Sequence, residues 1–177
     1  MDSPALIDSL NHFTDLLRAT IADRPVGELR RRPESGGWSL LEILGHLADE
    51  EEFDFRVRLE LTLLHPEHDW PAPVAPEQWV VERRYNDADA ARVLLRFGTL
   101  RTGNVRWLRA LKNPDWSVAH KHPKFGDIRA GDLLAAWAAH DLLHLRQIAR
   151  RLYDDLAERG APFSTRYAGA WPTVERV

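Results

Sequence analysis

Four stretches of this chain repeat their apolar residues at the spacing of an α-helix, and long loops separate them. The first stretch runs from about Pro4 to Asp23 and the second from Ser39 to about His65. The third begins near Asn86 and ends near Lys112, and the fourth runs from about Ala130 to Arg159. Because each stretch has one apolar face to bury, the pattern predicts an all-α four-helix bundle with long crossover loops.

The ends of these stretches carry capping signals. Ser39 and Glu42 have the spacing of a capping box, in which each side chain accepts from the backbone N–H of the other residue. Gly160 follows the fourth stretch, where glycine commonly ends a helix. We predict irregular structure in the proline-rich loop 66–86, a second loop at 113–129, and no strand anywhere.

The apolar stripes also predict which side chains form the core. For the second helix, the predicted inward stripe is Ile43, His46, Phe53, Val57, Leu61 and Leu64. For the third helix it is Leu94, Gly98, Arg101, Val105 and Leu108. Core packing also explains the helix positions of Trp38, Trp107 and Trp137.

Composition limits the classes of protein that this chain can belong to. Its 177 residues, 44% hydrophobic and 29% charged, predict one globular domain over residues 1–177. A net charge of −3 gives no reason to expect nucleic acid. The first residues lack the basic stretch and apolar run of a signal peptide, and no segment approaches the roughly 20 apolar residues that cross a bilayer. We therefore expect a cytoplasmic protein that binds neither nucleic acid nor membrane.

The chain contains no cysteine. This excludes disulfides, thiolate zinc sites and a cysteine nucleophile supplied by the protein. The sequence also shows no glycine-rich phosphate loop, no nucleotide fingerprint and no Ser-His-Asp order. We therefore set aside nucleotide-dependent chemistry and serine hydrolysis.

Two histidines of the fourth helix are the strongest chemical signal. His140 and His144 are four residues apart, so they lie one turn apart on one face and can reach one ion. At about 100° per residue, both fall within about 40° of Leu133 and Trp137, toward the interior or its margin. Buried imidazoles need hydrogen-bond partners or a metal, and the pair alone leaves both interpretations open. Asp141 turns away from this face and is less suited as a ligand.

His46 favours the metal interpretation, because it lies on the predicted inward stripe of the second helix. Three inward histidines from two helices offer three ligands and leave positions open for water or substrate, which is typical of catalytic sites. Neutral imidazole suits zinc, nickel, iron(II) or copper. The residues thus predict a metal site formed by His46, His140 and His144.

Two other residues are candidate catalytic groups. Glu50 lies one turn after His46, where it could orient a histidine, accept a proton from bound water or bind the metal itself. The alternative is a salt bridge from Glu50 to an arginine of a neighbouring helix. His122 precedes the fourth helix and is a candidate contact for the site if its loop folds over the mouth. The histidines expected on the surface are His12, His65 and His68.

Several motifs resemble those of DinB-like proteins. The Gly-Trp-Ser of residues 37–39 and the Gly-His-Leu-Ala-Asp-Glu of residues 45–50 resemble the second helix of that family. The His-Pro-Lys-Phe-Gly of residues 122–126 and the Ala-His-Asp-Leu-Leu-His-Leu-Arg-Gln-Ile of residues 139–148 resemble the approach to its fourth helix. The resemblance extends from the first helix to about Arg151.

This resemblance implies a four-helix bundle similar to thiol-dependent transferases and maleylpyruvate isomerases, often homodimeric. Many members hold zinc or nickel through one histidine of the second helix and two of the fourth, which map to His46, His140 and His144. Many also have a histidine directly before the last ligand, where this chain has Leu143. That departure leaves the ligand set intact and changes the pocket.

We therefore predict a divalent-metal-binding enzyme of the thiol-transferase or hydrolase kind that acts on a small molecule. The ion would lower the pKa of water or of a low-molecular-weight thiol, which must arrive as a ligand because the chain has no cysteine. The alternative is a metal-stabilised stress-response or binding module without turnover. A third possibility is that the histidines bind no metal and the fold is an interaction scaffold.

Overall fold

The computed structural model describes residues 1–34 and 36–171 and shows a bundle of helices. In chain order the helices are α1 (Ser3–Ile21), α2 (Val26–Arg30), α3 (Leu40–Phe53), α4 (Phe55–Leu64), α5 (Pro76–Glu82), α6 (Ala90–Ala110) and α7 (Ala130–Arg159). Helix α1 packs against α6 and α7, α3 packs against α6, and α4 continues α3 and packs against α7. The four-helix bundle predicted from the apolar spacing is confirmed. No helix within the described ranges is long and apolar enough to span a bilayer.

The capping signals are also confirmed. The Ser39 hydroxyl accepts from the Glu42 N–H at 3.1 Å, and the Glu42 carboxylate accepts from the Ser39 N–H at 2.8 Å. This reciprocal pair fixes the start of α3, the helix that carries His46. Helix α7 ends at Arg159 and is followed by Gly160, as predicted.

The second predicted helix is in fact two helices. Asp54 interrupts it with φ −122° and ψ −91°, so that α3 ends before it and α4 begins after it. The interruption changes the helical phase of α4, where Val57 and Leu64 are 39% and 51% exposed, and Phe53, directly before the break, is 39% exposed. Their predicted places on the inward stripe were therefore wrong. The buried residues of α4 are Phe55, Arg58, Leu59 and Thr62.

Both predicted loops contain regular structure. In the first, α5 begins at Pro76, since proline fits the first turn of a helix, and a short 3-10 helix follows at Tyr85–Asp87. In the second, strands β1 (Ala119–His122) and β2 (Gly126–Arg129) form an antiparallel hairpin. The predictions of an irregular first loop and of no strand were wrong. The strands have four residues each and little apolar alternation, so their sequence carries almost no strand signal.

The apolar core consists of two clusters. One, toward the α3 half of the bundle, is built mainly from Phe13, Leu17, Ile21, Leu41, Ile43, Leu44, Leu47, Phe97 and Ile148. The other, toward α4, is built mainly from Ile7, Leu10, Phe55, Leu59, Val105, Leu108, Leu133, Leu134 and Trp137. Buried charged residues lie between the two clusters along the chain, namely Glu51 of α3, Arg101 of α6 and Asp141 of α7. Trp137 is fully buried as predicted, whereas Trp38 and Trp107 are only partly buried.

Candidate metal centre

Helices α3 and α7 bring three histidines together. The Nε2 atom of His46 lies 3.4 Å from Nε2 of His140 and 3.1 Å from Nε2 of His144. The Nε2 atoms of His140 and His144 are 3.1 Å apart, as expected for residues one turn apart on one helix face. His46 is buried and the two histidines of α7 are half-buried. The structure therefore collects all three predicted ligands around one point.

The three ring nitrogens cannot satisfy one another. A hydrogen bond between two imidazoles needs an N–H on one nitrogen and a lone pair on the other. Around a triangle of three nitrogens these roles cannot alternate, so at least one contact joins two lone pairs or two N–H groups. Extra protons do not resolve the conflict, since burial and the neighbouring rings lower the pKa of His46 to about 2. Burial, with smaller effects of His144 and Arg101, lowers the pKa of His140 to about 3.

The ring of His144 is held by a hydrogen bond at its outer nitrogen, and that of His46 has a carboxyl group nearby. Nδ1 of His144 lies 2.8 Å from Oε1 of Gln147, so the ring donates to this amide and its Nε2 carries the lone pair. Nδ1 of His46 lies 3.6 Å from the carboxyl of Glu50. Burial, with the nearby carboxylate of Asp54, raises the pKa of Glu50 to about 8. Among the described residues Glu50 forms no ion pair with an arginine, so the alternative predicted for it is not observed.

Aromatic rings close two sides of the site. The ring of Trp38 lies 4.9 Å from that of His46 and is parallel to that of His144 at 6.4 Å. The ring of Phe55 lies 5.0 Å from that of His140. Trp38 was expected only to fill the core, but its Nε1 donates to Glu77 of α5 at 3.1 Å and its ring borders the histidines. These rings keep water from the faces of the imidazoles.

A cavity of about 460 Å³ opens beside His144. Helix α5 supplies Glu77, Val80 and Val81 to its wall, which also includes Trp38 and Gln147. The cavity is large enough for a small organic molecule, within the roughly 300–1,000 Å³ of ligand pockets. Helix α5, which lies inside a loop predicted to be irregular, therefore forms one side of a cavity that touches His144.

Known proteins with related sequences and folds bear on what this site does. The model of the DinB superfamily matches residues 9–148, which is most of the chain. This chain belongs to the DinB superfamily. The match extends into α7, as far as residue 148, and includes all three histidines of the site.

Two proteins similar to this DinB-superfamily chain have names that refer to metals. The protein named "Putative metal-dependent hydrolase OB0782", from Oceanobacillus iheyensis (strain DSM 14371), is 27% identical over 145 residues, covering 80% of this chain and 81% of that protein. The structure of YfiT from Bacillus subtilis, described as "a probable metal-dependent hydrolase with an unusual four-helix bundle topology", matches with a TM-score of 0.69 and 21% identity. That match covers 85% of this chain and 87% of YfiT, and it shows a shared fold.

Behind the histidines of this DinB-superfamily chain lies a buried network of charge. Arg101 of α6 donates to Asp141 at 2.6 and 2.9 Å and to Glu51 at 2.7 Å. Glu51 also accepts from Trp137 Nε1 at 2.7 Å and from the Asn104 amide at 3.0 Å. Asp141 therefore points away from the site into an ion pair, in keeping with its predicted unsuitability as a ligand. The network ties together α3 and α7, the two helices that carry the histidines.

His122 lies in a local arrangement of its own. Its Nδ1 accepts from the backbone N–H groups of Lys124 at 2.9 Å and Phe125 at 3.1 Å, and its ring packs 5.0 Å from that of Trp70. Among the described residues no contact joins His122 to the three histidines of the site. The structure thus gives this candidate a role in the β1–β2 turn. As predicted, the exposed histidines include His12, His65 and His68.

Sequence reasoning missed Gln147 and Arg101 as parts of this site. Gln147 lies three residues after His144, a spacing that places both side chains on one helix face. That spacing could have identified it as a partner for the ring. Arg101 was placed on the inward stripe of its helix, and a buried arginine requires acidic partners, which was the available signal.

Proposed function

We propose that this protein is a hydrolase that binds one divalent metal ion, zinc or nickel, through Nε2 of His46, His140 and His144. Its substrate is a small molecule that enters the cavity beside His144. The hydrolase activity is proposed from the names of two similar proteins. The three ligands are proposed from the distances between the histidine nitrogens.

The triangle of Nε2 atoms is the observation that carries the proposal. A tetrahedral zinc ion with Zn–N bonds of about 2.0–2.1 Å places its ligand nitrogens about 3.3 Å apart. The distances between the three Nε2 atoms here are 3.1, 3.1 and 3.4 Å. A cation at the centre accepts a lone pair from each nitrogen, which removes the conflict that no arrangement of protons can remove. The donor set therefore fits a divalent ion.

Such an ion supplies a Lewis acid that lowers the pKa of a water molecule or of a low-molecular-weight thiol. Residues of the protein orient the histidine rings and restrict the access of water. Gln147 holds the ring of His144 by its outer nitrogen, and Glu50 stands at the outer nitrogen of His46. Trp38 and Phe55 limit the access of water from two sides, and the cavity leaves one side open for substrate. Three protein ligands with an open side are the arrangement of catalytic sites rather than structural ones.

Hydrolysis is preferred to thiol transfer because both similar proteins are named as metal-dependent hydrolases. Thiol transfer remains the second candidate and rests on the resemblance of residues 37–50 and 122–148 to DinB-like sequences. The two are separated by assay, because a thiol transferase shows turnover only when a low-molecular-weight thiol is supplied. We further propose a homodimer, which rests on the same resemblance, and a cytoplasmic location, which rests on the absence of cysteine from the chain.

The test begins with elemental analysis of the protein purified without added metal. We expect about one equivalent of zinc or nickel per chain, and loss of that metal in the variant His144→Ala. The matched control is His12→Ala, which removes an exposed histidine of α1 and should leave the metal content unchanged. Equal metal content in wild type and His144→Ala would contradict the proposed ligand set.

The second step is a screen of small esters, amides and lactones with the metal-loaded protein. Turnover that stops on addition of a chelator and returns with metal supports the hydrolase. Stoichiometric metal without turnover on any substrate, with or without thiols, would instead favour a metal-stabilised binding or stress-response module.

A further inference from the structure

A second cavity, also of about 460 Å³, lies farther along α7 than the metal site. We call it the arginine cavity, because the arginines that line it are Arg24, Arg31, Arg32, Arg150 and Arg151. Arg32 lines both this cavity and the one beside His144, so the two are neighbours.

Each of these arginines lies near a carboxylate, and the contact of Arg151 is the longest. Arg24 pairs with Glu28, Arg31 with Asp155 and Glu158, Arg32 with Glu42, and Arg150 with Asp154. These ion pairs neutralise most of the charge in the cavity wall. Arg151 therefore differs from the other arginines in its unused N–H groups and not in net charge.

Arg151 has hydrogen-bonding capacity that the protein does not fill. Its Nε and Nη1 are buried and have no hydrogen-bond partner within residues 1–34 and 36–171. Its Nη2 approaches Asp154 only at 3.4 Å, and that carboxylate already accepts from Arg150. Desolvation lowers the pKa of Arg151, which reflects the cost of holding this cation without a close partner. Buried guanidinium groups normally form charge-assisted hydrogen bonds, so an acceptor is missing here.

We propose that Arg151 binds an oxyanion, the carboxylate or phosphate of a small molecule, in the arginine cavity. A planar guanidinium matches both groups through two parallel N–H···O bonds. Arg151 lines the cavity, and because its Nε and Nη1 are buried in this structure, the guanidinium would have to turn for them to reach a ligand held there.

The position of Arg151 relates this oxyanion to the metal site. Arg151 follows His144 by seven residues, which corresponds to a rise of about 10 Å and a turn of only about 20° on the face of α7. Gln147, which lies between them, lines the cavity beside His144. Resting on the proposed function, we infer that the substrate is elongated, with its oxyanion on the order of one to two helical turns from the bond that is hydrolysed.

Binding of simple oxyanions to the full-length protein tests this site directly. Inorganic phosphate and acetate are titrated separately by calorimetry, at an ionic strength held constant with chloride. We expect saturable binding of one anion, and the tighter of the two probes identifies the substrate group as phosphate or carboxylate. In Arg151→Gln the affinity should fall by about tenfold or more. In Arg151→Lys it should fall by less, because lysine keeps the positive charge but lacks the two parallel N–H donors of a guanidinium.

Arg150→Gln is the matched control. Arg150 is the adjacent arginine of the same cavity, but its guanidinium is paired with Asp154 and 42% of its side chain is exposed. Its loss should change the affinity by about twofold at most, as for an exposed charge. In chloride alone, Arg151→Gln should unfold at the same temperature as wild type or higher, which shows that lost binding is not lost folding. No saturable binding to wild type, or equal binding to wild type and Arg151→Gln, would overturn the proposal.

The same titration on His144→Ala separates this site from the metal centre. Binding of phosphate or acetate should persist in that variant, because Arg151 and not the metal holds the anion. If the protein hydrolyses none of the substrates tested, the titration still decides whether Arg151 binds an oxyanion. If it does hydrolyse a substrate, the bound anion should inhibit competitively, and inhibition should be lost in Arg151→Gln.

Discussion

Arg101 donates to both carboxylate oxygens of Asp141, the residue that directly follows the predicted ligand His140. The same guanidinium donates to Glu51 of α3, the helix that carries His46. One buried cation thus holds a carboxylate from each of the two helices that carry the candidate ligands. The position of α3 against α7, and with it the spacing of the histidines, depends on this cation.

Replacing this cation should strongly destabilise the protein. In Arg101→Met two buried carboxylates lose their partner, which should lower the free energy of unfolding by about 3–5 kcal/mol. Urea denaturation measures the change. Adding Glu51→Gln and Asp141→Asn should recover most of the loss, because no buried charge is then unpaired. The control is Arg109→Met, also in α6, which removes an exposed ion pair with Asp8 of α1 and should cost less than about 1 kcal/mol.

The amide of Gln147 should determine metal affinity without being a ligand. Gln147→Leu removes the acceptor of the His144 Nδ1–H, so the ring loses its fixed orientation and the affinity for zinc should fall about 10- to 100-fold. Competition with a chromophoric chelator measures this affinity. Gln78→Leu, an exposed glutamine of α5, is the control and should leave it unchanged. An unchanged affinity in Gln147→Leu would show that the amide does not orient the ring.

Metal removal should lower the thermal stability of the protein. An ion that binds the folded chain only, at a free concentration of about 100 times its dissociation constant, adds about 2.7 kcal/mol to the free energy of unfolding. Dialysis against a chelator should therefore lower the unfolding temperature, and zinc should restore it. The variant His144→Ala should show no such response to chelator. An equal response in that variant would place the metal elsewhere.

Gly45, directly before His46, is a position where no side chain fits. A Cβ at Gly45 would lie 2.7 Å from Cγ of Tyr85, whose hydroxyl donates to the buried carboxylate of Asp49. Gly45→Ala should therefore displace Tyr85 and lower the free energy of unfolding by about 1–3 kcal/mol. Gly103→Ala in α6 meets nothing within 4 Å and should instead stabilise by up to about 1 kcal/mol. A stable Gly45→Ala protein would mean that this ring moves freely.

The same tyrosine should make the protein sensitive to alkaline pH. Burial, and the hydrogen bond to Asp49, raise the pKa of Tyr85 above its ordinary value of 10. Below pH 10 the Tyr85 hydroxyl keeps its proton in both the folded and the unfolded chain, so its contribution to the free energy of unfolding is fully present. Above pH 10 the unfolded chain loses this proton first, so the free energy of unfolding should fall, by at most about 1.4 kcal/mol per pH unit from this group. Urea denaturation from pH 8 to 11 should show a shallower decline in Tyr85→Phe. An identical decline in that variant would assign the effect to other groups.

The sequence predicted the parts of this protein that follow helical periodicity. The long helices and the capping box at Ser39 depend on apolar spacing and local hydrogen bonds, which neighbouring residues determine. The break at Asp54 was missed because both sides of it continue an acceptable helical pattern. The β1–β2 hairpin was missed because its few polar residues gain their order from the helices beneath them, which is a tertiary effect.

The candidate site could be predicted only as a set of imidazoles. Their spacing and inward direction follow from helical periodicity, so the amino-acid sequence alone is enough to group His46, His140 and His144. The partner of each outer nitrogen could not be predicted, because it depends on side-chain rotamers and on how α3 faces α7. The same is true of the wall that α5 adds to the cavity, since its proline-rich surroundings favour a loop.

His46 and His140 are separated by 94 positions in the chain, although their ring nitrogens lie 3.4 Å apart. During synthesis the ribosome must therefore make almost all of the bundle before a complete set of donors exists. A nascent chain that ends before α7 offers a single imidazole of the set, too few to capture an ion firmly. If the three histidines bind an ion as proposed, loading must follow the docking of α7, and the ion would then meet a nearly complete fold.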